Sequence, residues 1–190
     1  MNSSSVSQVL NSKIKVFNFF AFVFFGGLAA LFLYYKILGG VGFAMSTGFF
    51  GLTQGIINLI LAVLSLGLAY VACKSQRHWI KPVFAILSIL LLGVVFNQLN
   101  IWWVKYNEGL FIGGGVLKTL TVDDVLYFTL YYFITAFQLI FALVLALSYT
   151  ISSILGENHS NYLNRFSLFS ILKPFVFSVL CVFAFYHLWN

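Results

Sequence analysis

The chain has 190 residues, 62% of them hydrophobic and only 7% charged, with a mean hydropathy of +1.01. Globular domains hold about 45–50% apolar and roughly 25% charged residues, and about a third of such a chain still faces water after folding. The composition excludes a soluble enzyme, a nucleic-acid binder and a disordered tail, and it describes an integral membrane protein whose first partner is the lipid bilayer. The net charge of +6 is no nucleic-acid signal either, because the Lys and Arg residues sit singly or in small groups between apolar runs, as in the loops of a polytopic protein.

Residues 1–15 read as a polar, serine-rich N-terminal tail, and residues 16–190 as a single polytopic transmembrane domain. A helical span needs about 20 mostly apolar residues. The first such run is 16–35, bracketed by Lys13, Lys15 and Lys36. It is too long for the apolar core of a secretory signal. From Ile37 to Cys73 no charge interrupts the chain, and the first half of that stretch is rich in glycine. The pattern predicts a Gly-rich interfacial or re-entrant segment over 37–52, followed by a span over 53–73. Non-helical backbone at that depth requires cover from protein or a water-filled cavity.

The remaining runs are 82–104, which ends on Trp102 and Trp103, then 125–148 and 171–189. The expected architecture is an all-α integral membrane bundle of about five transmembrane helices. With the N-terminus inside, the inner segments hold Lys13, Lys15, Lys74, Arg77, Lys81, Arg165 and Lys173, and the outer ones only Lys36, Lys105 and Lys118. This bias predicts a cytoplasmic N-terminus and a C-terminus on the opposite side, with a bacterial inner membrane as the expected setting. Pro82 and Pro174, the two prolines of the chain, each follow a lysine and read as opening a span. The matching strings Leu59-Ile60-Leu61-Ala62 and Leu139-Ile140-Phe141-Ala142 extend this echo toward two tandem hairpins, although apolar text also repeats by chance.

No Asp, Glu, Lys or Arg falls in the middle of any predicted span. Such groups cost roughly 2.5–3.5 kcal/mol each on insertion and mark proton relays, ion paths or catalysis. Uncharged polar residues recur instead: Gln54, Asn58 and Ser65 at helical spacing on the second span; Asn97, Gln98 and Asn100 clustered on the third; Tyr127, Tyr131, Thr135 and Gln138 on the fourth. One reading is a substrate path lined by Gln54, Asn58, Asn97, Tyr131 and Gln138. The other is interhelical glue, at about 0.6 kcal/mol per hydrogen bond. Small residues Gly26 and Ala30, with Ala44, Gly48, Gly51 and Gly55, read as helix-packing positions within the protein or against another subunit.

Cys73 and Cys181 and the histidines His78, His159 and His187 do not cluster in sequence, so no metal site and no cofactor is implied. Asp123 and Asp124 open the fourth span, where carboxylates favour a helix N-terminus. The connection 105–124, with Gly113-Gly114-Gly115 at its centre, reads as a lid or docking element, or else as a flexible loop with an apolar patch. GxSxG and HExxH signatures are absent, which ranks an enzyme using His159, Asp123 or Asp124 last among three readings. First comes a non-catalytic subunit or assembly factor of a larger membrane complex, partnered by other membrane subunits or by itself. The alternative is a small transporter or channel for a neutral or weakly polar substrate.

Overall fold

A computed structural model of the chain describes residues 3–45, 52–74, 80–155 and 161–187. They form five α-helices: α1 (Ser3–Met45), α2 (Leu52–Lys74), α3 (Ile80–Asn107), α4 (Val122–Leu155) and α5 (Asn161–His187), with one 3-10 turn at Leu117–Thr119. Four helices are long and apolar enough to cross a bilayer, over Ser12–Tyr35, Leu52–Cys73, Lys81–Asn107 and Val122–Ile154. That is what a multi-pass membrane protein requires. The described apolar stretch of α5, Leu168–Ala184, is shorter.

The helices α2, α3, α4 and α5 close a four-membered ring, each packing against the next and α5 returning to α2. Helix α1 lies outside the ring, against α5 and α4. Contacts such as Asn58–Gln98 between α2 and α3, and Phe17–Phe141 with Phe24–Phe137 between α1 and α4, set these neighbours antiparallel.

Three expectations change. The glycine-rich stretch starts no separate element, because α1 continues unbroken through Ile37 to Met45. Each interior glycine costs a helix only about 1 kcal/mol, and no proline or charge in the run halts propagation. At about 1.5 Å per residue the 43 residues of α1 extend about 65 Å, roughly twice the hydrocarbon thickness. Residues 46–51, with Gly48 and Gly51, lie outside the described residues. The polar tail is itself helical from Ser3 onward, as the beginning of the same element.

Pro82 does sit in the first turn of α3, where its missing N–H has no helical acceptor to lose. Pro174 does not open a span: it lies inside α5, which begins at Asn161, and it is buried. A span tolerates such a proline when neighbouring polar groups serve the backbone it disturbs. The carbonyl left without an i+4 donor belongs to Ser170; the hydroxyl of that residue, not its carbonyl, accepts from Asn18 Nδ2 of α1 at 3.2 Å. The two halves of the sequence echo also differ beyond the prolines: of the tyrosines that follow the two Leu-Ile strings, Tyr70 is exposed and Tyr149 buried.

Two apolar clusters fill the bundle. Toward the end away from the α3–α4 connection, Leu87, Leu91, Leu145, Leu172 and Phe175 pack with alanines such as Ala62, Ala69 and Ala142, whose small side chains let the backbones close in. Toward the connection, Phe32, Tyr127, Phe128, Tyr131 and Tyr132 form an aromatic layer.

The α3–α4 connection is a folded cap rather than a flexible loop. Helix α3 ends in a Schellman motif: Leu110 N donates to Lys105 O and Gly109 N to Tyr106 O, both at 3.0 Å, with Gly109 at φ 72°. Leu110 and Leu117 then turn into the aromatic layer, and Tyr132 Oη donates to Leu110 O at 3.2 Å. Gly114 passes so close to Gly109 that a Cβ there would stand 2.2 Å from the Gly109 carbonyl oxygen. Helix α4 opens on a capping box, in which Asp124 Oδ2 accepts from the Thr121 backbone N–H at 3.2 Å and hydroxyl at 2.6 Å, while Asp124 N donates to Thr121 Oγ1 at 3.3 Å.

Candidate functional site

Polar residues of α2, α3 and α4 meet in one cluster, Asn58 and Gln98 on the buried faces of their helices and Asn97 at its edge, while Asn100 is exposed. Asn58 Nδ2 donates to Gln98 Oε1 at 3.0 Å. Asn97 Nδ2 donates both to Asn58 Oδ1 at 2.8 Å and to the Gln54 backbone oxygen at 2.9 Å. Gln98 Nε2 in turn donates to the Tyr131 hydroxyl at 3.1 Å. One turn away, Trp102 Nε1 donates to Thr135 Oγ1 at 3.2 Å, and that hydroxyl in turn donates to the Tyr131 backbone carbonyl at 2.8 Å. The cluster is a chain of neutral donors and acceptors running from α2 through α3 to α4.

Burial makes this chain consequential. Asn58, Gln98, Tyr131, Thr135 and Gln138 are each less than a tenth exposed. An amide moved from water to an apolar setting costs roughly 2–7 kcal/mol unless it finds a partner, and pairing amides with one another supplies a donor and an acceptor from each. Asn58, Gln98, Tyr131, Gln138 and Gly55 also line a void of about 10 Å³, closed on the α5 side by Val179, Val182 and Phe183. Gln138 Nε2 is buried without a hydrogen-bond partner among the described residues. An unmet donor of that kind costs about 1–3 kcal/mol.

Comparison of the chain with protein-family models, curated proteins and solved structures finds no match. The chemistry of the site therefore rests on its own geometry.

Of the five candidate path residues, Asn58, Asn97 and Tyr131 join the hydrogen-bonded chain, Gln138 lines the same void, and Gln54 takes part through its backbone carbonyl. Gln98 is the link missing from the candidate path. It stands at the centre, bonded to both α2 and α4, and only its place beside Asn97 in sequence signalled it. A second polar contact ties α3 to α4 further along, where Ser88 Oγ lies 3.0 Å from the Ala146 carbonyl and 2.6 Å from Thr150 Oγ1.

The small residues divide differently. A Cβ built on Gly26 meets nothing within 4 Å, and Ala30 is exposed, so neither packs on another helix among the described residues. Ala29, next to it in sequence, is the buried one. Gly55 is buried and borders the void, while Ala44 belongs to the last turn of α1. Gly93 of α3 makes a close helix contact, where a Cβ would stand 3.3 Å from Leu61 Cδ1 of α2. It stands outside the small-x-x-x-small pairs and left no trace in that pattern.

Asp124 is committed to the capping box, Asp123 sits beside it on the first turn of α4, and His159 lies outside the described residues. Helix α1 presents a different surface. Val16, Phe19, Val23 and Tyr34 are each more than half exposed, on the side that also carries Gly26 and Ala30. Between α1 and α4 runs an apolar groove of about 460 Å³ lined by Phe17, Phe20, Phe24, Phe137, Ile140 and Val144.

Proposed function

We propose that the protein is a non-catalytic subunit or assembly factor of a larger membrane complex, inserted with its N-terminus on the cytoplasmic side. The observation that supports this reading is the bonding of Asn58, Asn97, Gln98 and Tyr131 to one another. Each of the bonds joins side chains of different helices, which is the part that interhelical glue plays. Helix α1 adds to it. A helix held on one side by the ring, with its opposite side of valine, phenylalanine, glycine and alanine uncovered, suits contact with another transmembrane helix, since small residues let backbones approach.

The test is the native mass of the gently solubilised protein, with associated chains identified. A heteromeric assembly of fixed composition supports the subunit reading. A monomer or homo-oligomer alone sinks it and favours the small transporter or channel, for which flux through the Asn58–Gln138 region is the next assay.

A further inference from the structure

We infer that the void between Asn58, Gln98, Tyr131 and Gln138 is a binding site for one water molecule, which completes the polar cluster and ties Gln138 of α4 to α2 and α3. A cavity holds a water when it offers roughly 10–15 Å³ to the centre of a water-sized sphere and two to four polar partners. This one measures about 10 Å³ and has four polar side chains on its wall. Gly55, which lacks a side chain, and the short Val179 and Val182 leave that space open where larger residues would fill it.

Gln138 decides the identity of the occupant. Its side chain is 6% exposed, and Nε2 has no partner among the described residues, although polar neighbours surround it on the other helices. Whichever end of the amide turns to the void, water answers it, since it both accepts and donates, and Asn58 and Gln98 on the same wall carry amides of both capacities. An apolar guest supplies neither. An ion is disfavoured because no charged side chain lines the cavity and a buried, uncompensated charge is costly. Water satisfies size, neutrality and bonding together.

The experiment is water-edited solid-state NMR on the full chain in lipid bilayers, with the Gln138 side-chain amide assigned. The expected result is polarisation transfer from water to Gln138 Nε2, abolished in Val182→Ile, which keeps every polar group and fills the void with one methylene. Val179→Ile is the parallel variant should the first disturb the fold. Absence of transfer in the wild-type chain overturns the proposal, and so does transfer that survives a correctly folded void-filling variant. This outcome is independent of whether the protein associates with other subunits.

Discussion

Asn58 of α2 and Gln98 of α3 share a hydrogen bond of 3.0 Å while both side chains are more than nine-tenths buried. The pair sets the register of the two helices. Sliding one past the other by a single residue shifts it about 1.5 Å and turns it about 100°, which separates the amides and strands both in an apolar setting. Flanking contacts depend on the same register, since Asn97 reaches Asn58 and Gly93 sits against Leu61.

A coupling energy follows. Asn58→Ala and Gln98→Ala each remove a partner and leave the other amide unmet, at about 1–3 kcal/mol each. The double variant should cost less than the sum, by about 0.6 kcal/mol or more, the mean for such bonds in membrane bundles. Equilibrium unfolding in bilayer-mimetic micelles measures the cycle. Strict additivity would mean that the bond contributes nothing to the folded state.

Gln54 and Asn97 separate a path from a brace. The contact between them uses the Gln54 backbone oxygen and the Asn97 side chain. Gln54→Leu should therefore leave stability within about 0.5 kcal/mol of wild type, as ordinary surface substitutions do. Asn97→Leu releases both the Gln54 carbonyl and Asn58 Oδ1, and should cost at least about 1 kcal/mol. A larger loss in Gln54→Leu than in Asn97→Leu would contradict this reading in the same unfolding assay.

Much of this was legible in the apolar runs, for a physical reason. The hydrocarbon core demands a minimum helical length, so the existence of long apolar helices follows from the long runs without charge. The inward polar faces were legible too, because a 3.6-residue period aligned Gln54 with Asn58 and Tyr131 with Gln138. The continuation of α1 was not: glycines at 39–42 look like a break, yet nothing in that run competes with the helical backbone. Pro174 misled in the opposite sense, since a proline after a lysine reads as a helix start, whereas α5 already begins at Asn161. Gln98 was visible yet undistinguished from Asn97 and Asn100. Which of three neighbouring amides points inward depends on the rotation of α3, and packing against α2 and α4 decides that.

Gly114 and Gly115, adjacent in sequence, should answer alanine in opposite ways. A methyl group at 114 collides with the Gly109 carbonyl at 2.2 Å, whereas at 115 it meets nothing within 4 Å. Gly114→Ala must displace the cap that carries Leu110 and Leu117, so a loss of roughly 1–3 kcal/mol and faster proteolysis of the 108–121 connection are expected. Gly115→Ala should leave both unchanged. Equal tolerance at the two sites would show that the cap does not hold this conformation.

The outward side of α1 tests association apart from folding. A side chain at Gly26 enters open space, and replacing an interior helical glycine gains about 0.5–1 kcal/mol of helix propensity. Gly26→Leu should therefore leave the isolated chain as stable as wild type or slightly more so. If α1 docks against another transmembrane helix through Gly26 and Ala30, the same leucine holds the backbones apart and the associated chains are lost on purification. The informative result is that combination, stability kept and association lost. Loss of stability in the lone chain would place Gly26 in an internal contact, and an intact assembly would move the interface to another face.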